Sequence, residues 1–102
     1  MAEVIWSDPA LADLDAIADY IALENLAAAQ QLVRRIFKHV DQLEAHPDSG
    51  SKLQEFRGWR YRQIIEPPCR IIYRHDKQQG RIFILHVVRS EQKLRRSKLL
   101  RD

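Results

Sequence analysis

The period of the apolar residues changes once along the chain, and this change constrains the fold more than any other feature of the sequence. From Pro9 to about Glu24 apolar side chains recur every three or four residues, which predicts an amphipathic helix with an acidic outer surface. A second stripe of the same period follows Asn25, a plausible N-cap residue, and stops before Pro47. The link between the two stripes is so short that they must form a helical hairpin.

Strand-like runs lie on both sides of this hairpin. Glu3–Trp6 is a short β-type run, and Ser7 or Asp8 after it can cap the first helix. Past the loop at residues 46–51, short connections predict an antiparallel meander of three runs: Trp59–Glu66, Cys69–His75 and Arg81–Arg89. The last run is apolar at odd and even positions alike, as a central strand would be.

Together these elements predict one α+β domain over residues 1–102, in the order β-α-α-β-β-β. The meander forms an antiparallel sheet that the first strand joins, and the helical hairpin packs on one of its faces. A short helix through Leu94, Leu99 and Leu100 is a further option for the C-terminal segment.

Composition excludes several classes of protein. A chain of 102 residues forms a single core, which rules out a multidomain enzyme with its own cofactor domain. No segment resembles a membrane helix or a signal peptide, and the lone Cys69 cannot form an internal disulfide, so we expect a cytoplasmic protein. The four histidines lack paired ligand spacing and no glycine-rich phosphate loop is present, so neither a metal nor a cofactor is expected.

Charge is divided unequally between the two halves of the chain. Residues 1–50 carry nine acidic and three basic side chains, whereas residues 51–102 carry five acidic and fourteen basic ones. The net charges are thus −6 and +9. A basic surface of this kind suits a phosphate polymer or an acidic protein, although the charges could equally serve only to keep both halves soluble.

Arginines alternate with aromatic residues in the basic half. Arg60 and Arg62 would share one face of a strand, with Trp59 and Tyr61 on the other. More arginines lie nearby: Arg57, Arg70, Arg74 and Arg89. A basic open sheet face could bind phosphates and stack the bases of single-stranded RNA. Alternatively, the arginines only cover the sheet with their aliphatic stems or pair with acids such as Glu66.

A series of short motifs resembles the RelE/ParE superfamily of bacterial toxins over nearly the whole chain. The motifs are Ile5–Ala10 with Leu11, Leu14, Ile17 and Tyr20, then Ala29, Leu43–Pro47, Gly50, Tyr61-Arg62, Arg70–Arg74 and Ile84–Arg89. The resemblance implies the toxin of a type II toxin–antitoxin system, restrained by a cognate ParD-like antitoxin with a ribbon-helix-helix DNA-binding part. RelE-like members are ribosome-dependent mRNA endonucleases, whereas ParE-like members poison DNA gyrase.

Site chemistry favours the ParE-like branch. Cleavage through the RNA 2′-hydroxyl needs a proton acceptor, a proton donor and cations for the phosphate. The resemblance aligns Arg62 and Arg89 with arginines of the nucleases, but residues 53–57 lack lysine and residues 90–102 lack tyrosine and histidine.

A nuclease would have to take its proton-transfer groups from Glu55 and His86. Strand alternation groups His86 with Ile82, Ile84 and Val88, on the face opposite Arg89, where we expect it to be half-buried. The cations are therefore present without suitably placed proton donors, which suits a toxin that acts by binding.

On this interpretation, the surface that contacts gyrase, with an indirect contact to its DNA, comprises Arg60, Arg62, Arg89, Lys93, Arg95 and Arg96. Two alternatives remain open. One is an mRNA endonuclease with the catalytic residues Glu55, Arg62, His86 and Arg89. The other is a degenerate toxin that serves only as an antitoxin partner or corepressor.

Overall fold

A computed structural model of the protein describes residues 1–53, 55 and 60–91. Their elements are β1 (Glu3–Trp6), α1 (Asp8–Ala22), α2 (Leu26–Asp41), a 3₁₀ turn (Gln42–Glu44), β2 (Ser51–Lys52), β3 (Tyr61–Glu66), β4 (Cys69–Asp76) and β5 (Arg81–Arg89). The predicted α+β class is confirmed. Residue 59, the predicted start of the first run of the meander, and the C-terminal helix option lie outside the described residues.

Both helices begin where the sequence predicts, because a polar side chain caps each N-terminus. The hydroxyl of Ser7 accepts a hydrogen bond from the N–H of Ala10 at 3.2 Å, and the side-chain oxygen of Asn25 accepts one from Ala28 at 3.0 Å. The helices pack on each other as the predicted hairpin, and α1 also packs on β5. Neither of the described helices is long and apolar enough to span a membrane.

The strands form one sheet in the order β1-β5-β4-β3-β2. Strands β3, β4 and β5 make the predicted antiparallel meander, and β5 is paired on both sides as predicted. In contrast, β1 pairs with β5 in parallel, so the sheet is mixed rather than wholly antiparallel. Short connections dictate direction only within the meander, because a strand joined through two helices can enter either way. The two-residue β2 adds an edge strand inside a segment where no strand is predicted.

Apolar residues lie on both faces of the sheet. The main core fills the space between sheet and helices and includes Leu14, Leu32, Ile36, Ile64, Ile71, Tyr73, Ile82 and Ile84. A smaller cluster covers the other face and consists of Leu53, Ile72, Leu85 and Val88, with Tyr61 and Phe83 packed against it. The expectation that Arg62 lies on the open face is therefore wrong: Arg62 lies opposite Tyr73 on the face that carries the main core, whereas Tyr61 packs against the smaller cluster on the open face.

A β-bulge at Leu85 reverses the alternation of β5. Its neighbours Ile84 and His86 lie opposite adjacent residues of β4, which leaves Leu85 as the extra residue. Beyond the bulge, Val87 belongs to the main core and Val88 to the smaller cluster. The predicted grouping of Val88 with Ile84 on one face is therefore wrong, since strict alternation applies only to an unbulged strand.

Candidate functional site

The structure separates the two arginines that the family resemblance assigns to one site. Arg62 lies near the start of β3, opposite Tyr73, and Arg89 ends β5, opposite Cys69. Strand rise and strand spacing place their backbones about 16 Å apart, at opposite ends of the sheet. Their guanidinium groups have different partners, because Arg62 donates a hydrogen bond to the carbonyl oxygen of Gly50 at 2.8 Å and Arg89 lies over the ring of Tyr20.

Arg89 lies beside α1. Its guanidinium carbon is 4.6 Å from the centre of the Tyr20 ring, which is within the range of a cation–π contact. Tyr20 is itself 61% exposed, so the pair forms a cationic and aromatic surface at this end of the protein. The predicted contact residues Lys93, Arg95 and Arg96 follow Arg89 in the chain and lie outside the described residues.

Glu55 forms an ion pair with Arg70. The two carboxylate oxygens each contact one terminal nitrogen of the guanidinium, one of them at 3.0 Å, and Gln63 accepts a further hydrogen bond from Arg70 at 3.1 Å. The side chain of Arg70 is only 8% exposed. Because a nearly buried guanidinium needs a counter-charge, we conclude that Glu55 supplies the counter-charge of Arg70.

His86 is buried and contacts α1 through the side chain of Asp13. It is 3% exposed, and its Nδ1 is 3.0 Å from the Asp13 carboxylate, which also accepts the N–H of Val87 at 3.1 Å. Because β1 ends opposite Ile84, it does not reach the N–H of Val87, and the Asp13 carboxylate accepts the hydrogen bond of this N–H instead. His86 is thus more buried than the half-buried position predicted for it, and it ties helix to sheet.

Of the other sheet arginines, Arg74 is also partnered. Arg74 lies 4.6 Å from the ring centre of Phe83 and 3.9 Å from the Asp76 carboxylate. Glu66, the acid expected to pair with them, instead contacts Arg35 and His39 of α2. The arginines therefore differ in their surroundings, and Arg60 and Arg62 at the start of β3 line a cavity.

A cleft of about 530 Å³ lies at the end of the sheet that carries Arg60 and Arg62. Its lining residues are Asp48, Lys52, Arg60, Tyr61, Arg62, His75, Asp76, Lys77 and Gln78. Four of them are permanent cations and two are carboxylates, so the cleft is basic. Sequence reasoning identified only the two arginines, because the other residues come from segments that meet only through the register of β2, β3 and β4.

Asp48 is the acidic centre of this cleft. One carboxylate oxygen is 3.0 Å from Nδ1 of His75 and 3.8 Å from Nε of Arg62, and the other is 3.6 Å from Nζ of Lys77. The hydrogen bond with His75, helped by the nearby cations, holds the pKa of Asp48 below its usual value despite the opposing effect of burial. Asp48 is therefore ionised at neutral pH.

Tyr73 and Gly50 hold the loop that carries Asp48. The buried Tyr73 hydroxyl donates to the carbonyl oxygen of Pro47 at 2.8 Å and accepts from the N–H of Gly50 at 3.0 Å. A Cβ at Gly50 would lie 2.5 Å from the carbonyl oxygen of Gln63, so only glycine fits there. Burial raises the pKa of Tyr73, which keeps the phenol protonated and able to donate.

A second concave surface lies between the two helices. This groove has a volume of about 400 Å³ and is lined by Ala18, Asp19, Ala22, Leu26, Ala29, Gln30, Val33 and Arg34. Leu26 is 61% exposed, and the adjacent Leu23 is 81% exposed. Apolar grooves of this kind accept a helix or an extended peptide.

The described part of the chain contains no group of three or more histidine, cysteine or acidic side chains that could hold a metal ion. Its chemistry is that of basic side chains, ion pairs and apolar grooves.

Comparison with known proteins agrees with this architecture. Residues 4–94 match the sequence model of the ParE toxin of the type II toxin–antitoxin system, parDE. The chain is 44% identical over 93 residues to Toxin RelE2 of Caulobacter vibrioides, covering 87% of this chain and 92% of that protein.

Solved structures share the fold. The chromosomal ParDE system of P. aeruginosa superposes with a TM-score of 0.69 at 30% identity, over 89% of this chain and 98% of the other. The RelBE2 toxin–antitoxin complex of Mycobacterium tuberculosis superposes with a TM-score of 0.62 at 21% identity, over 86% of this chain and 96% of the other. Escherichia coli RelE gives 0.57 at 13% identity, over 99% and 97%, and these last two are similar in fold alone.

These similarities define the class of the protein: it is the toxin of a type II toxin–antitoxin system, in the RelE/ParE superfamily. The resemblance predicted from sequence motifs is thereby confirmed. Within the superfamily, the chain belongs to the ParE toxin family.

Proposed function

We propose that this toxin acts by inhibiting DNA gyrase rather than by cleaving RNA. The observation that carries the proposal is the engagement of both candidate proton-transfer groups: Glu55 neutralises Arg70, and His86 is buried against Asp13. A nuclease needs its acid, base and cations within hydrogen-bonding reach of one phosphate. A binding toxin has no such requirement, and basic residues at both ends of the sheet can contact one large target.

The family match supports the same assignment, since the matching sequence model describes ParE toxins. On this proposal, the cationic surface of Arg89 and Tyr20 contacts the gyrase complex, together with Lys93, Arg95 and Arg96 from the segment that follows. Gyrase and its DNA would place the action of the toxin in the cytoplasm.

The groove between α1 and α2 is the proposed binding site for the antitoxin. Its floor is apolar, and Asp19 and Arg34 at its margins can orient a partner through charge. A ParD-like antitoxin would lay an amphipathic segment into this groove. The ParDE and RelBE2 systems among the structural relatives are toxin–antitoxin systems, which supports a protein partner of this kind.

One observation favours the second candidate function, a ribosome-dependent mRNA endonuclease. His75 is hydrogen-bonded to Asp48 within the basic cleft, where an imidazole could transfer protons beside Arg62. The similar protein of Caulobacter vibrioides is also named RelE2. On this candidate the chemistry belongs to the cleft and not to Glu55 and His86.

A supercoiling assay tests the proposal directly. Purified toxin, freed of antitoxin, is titrated against gyrase with relaxed plasmid and ATP, and linear DNA is scored after detergent. We expect loss of supercoiling with accumulation of cleaved DNA. An inert toxin in this assay that cleaves mRNA on ribosomes would establish the nuclease instead.

A matched pair of variants locates the toxic surface. Arg89→Ala removes the cation beside Tyr20, and we expect it to weaken gyrase inhibition at least tenfold. Arg81→Ala removes an exposed arginine from the other end of β5, where it pairs with Glu3 at 3.3 Å, and should leave inhibition unchanged. Equal inhibition by both variants would reject the assignment of Arg89. Absence of growth arrest when the intact toxin is expressed alone would indicate a protein that serves only as an antitoxin partner.

A further inference from the structure

Several cations lie close together in the cleft beside β2 and β3, and their mutual repulsion destabilises the fold. Lys52 and Arg62 are direct cross-strand neighbours, and Arg60 lies two residues before Arg62 on the same cleft. Like charges directly opposite each other in a sheet repel and destabilise it. Neither Lys52 nor Arg60 forms an ion pair within the part of the chain that the structure describes. These two side chains are therefore available to an anion from outside.

Asp48 shows where the cleft accepts anionic oxygens. Its carboxylate receives a hydrogen bond from His75 and is approached by Arg62 and Lys77, so side chains from β3, β4 and the turn after β4 converge on it. The Asp48 side chain is 43% exposed, so this meeting point is open to solvent. A carboxylate and a phosphate present similar anionic oxygens to guanidinium and ammonium donors.

We propose that this cleft binds the phosphodiester backbone of a nucleic acid, and that Asp48 is a resident anion that competes with the incoming phosphate. Arg62, His75 and Lys77 hold the phosphate at the position that Asp48 marks, while Lys52 and Arg60 contact the next phosphate along the strand. Binding relieves the repulsion between Lys52 and Arg62. The Asp48 carboxylate weakens the site in the free toxin and so limits indiscriminate binding to nucleic acid.

Charge sets the expected magnitudes. A unit charge about 4 Å away contributes at least ~1 kcal/mol in water, so removal of the Asp48 carboxylate should tighten binding about fivefold or more. Loss of one phosphate-contacting cation should weaken binding and lower the slope of log affinity against log salt by about one.

The test measures binding of purified toxin, freed of antitoxin, to fluorescein-labelled oligonucleotides by anisotropy, at several salt concentrations. The arms are single-stranded DNA, duplex DNA and single-stranded RNA of one sequence. Binding to either DNA connects the cleft with the gyrase–DNA complex, and binding to RNA alone connects it with mRNA. Binding to any of the three oligonucleotides supports the site, because the ligand that they share is the phosphodiester group.

Matched variants separate the cleft from general electrostatics. Asp48→Asn keeps a hydrogen-bond acceptor for His75 and should tighten binding, whereas Asp41→Asn changes the same charge on the exposed end of α2 and should change affinity less than twofold. Arg60→Gln should weaken binding at least fivefold, whereas Lys38→Gln on the outer face of α2 should not.

Two results would overturn the inference: the absence of binding to all three oligonucleotides, or equal effects of the cleft variants and their α2 controls. Thermal melting of each variant verifies that it is folded. Failure of this inference is distinguishable from failure of the proposed function, because gyrase inhibition by the wild-type toxin is measured separately.

Discussion

Replacement of Tyr73 by phenylalanine tests how the loop carrying Asp48 is held. The change removes only the hydroxyl, which bonds the Pro47 carbonyl at 2.8 Å and the Gly50 N–H at 3.0 Å inside a fully buried environment. A net hydrogen bond is worth about 1 kcal/mol, and a buried partner left unpaired costs about 1–3 kcal/mol. We therefore expect the free energy of unfolding to fall by about 2–3 kcal/mol, which lowers Tm by about 10–15 °C in a domain of this size.

Urea denaturation followed by circular dichroism measures this loss. Tyr20→Phe is the matched control, because the Tyr20 hydroxyl lies on a side chain that is 61% exposed and the ring over which Arg89 lies is retained. Its free energy of unfolding should change by no more than about 0.5 kcal/mol. A Tyr73→Phe protein as stable as this control would refute the claim that the hydroxyl anchors the loop.

The raised pKa of Tyr73 adds a dependence on pH. Because burial favours the neutral phenol in the folded state, the unfolded chain loses this proton first as pH rises past about 10. The stability contributed by the neutral phenol is complete below that pH and is lost as pH rises towards the folded-state pKa. The difference between wild type and Tyr73→Phe should therefore shrink in alkaline solution, and a constant difference from pH 8 to 11 would contradict the assignment.

Three further outcomes follow from the packing. In the same urea assay, Gly50→Ala should lower the free energy of unfolding by about 2 kcal/mol or more, because the added Cβ would collide with the backbone of Gln63. Gly80 has a φ of +64° and open space around it, so Gly80→Ala should lower the free energy of unfolding by only about 1 kcal/mol. Glu55→Gln should lose about 3 kcal/mol by leaving Arg70 without its counter-charge, and wild-type stability for this variant would show that the pair is not structural. Cys69 is fully buried, and burial raises the pKa of its thiol. At pH 8, iodoacetamide should therefore label Cys69 at least about a hundredfold more slowly in the native protein than in urea. Comparable labelling rates would contradict the burial of Cys69.

The sequence predicted the secondary-structure elements better than it predicted the surroundings of the site residues. Arg60 and Arg62 do line one cleft, although Arg60 precedes β3 instead of lying in it as predicted. The partners of Glu55 and His86 could not be predicted, since Arg70 lies 15 residues from Glu55 and Asp13 lies 73 residues from His86. No local pattern encodes such pairs. The cleft residues Asp48, Lys52, His75 and Lys77 were missed for the same reason.

The sequence by itself determined the helices, the meander and the family, because these depend on short-range chemistry. Ser7 and Asn25 cap helices within three residues of themselves, and apolar periodicity selects the buried face of each element. Only the tertiary structure determined the parallel pairing of β1 with β5, the β-bulge at Leu85 and the contact between Asp48 and His75. Each of these depends on which distant segments pair and in what register. Pairing is set by the free energy of the whole packed core, which no single stretch of the chain contains.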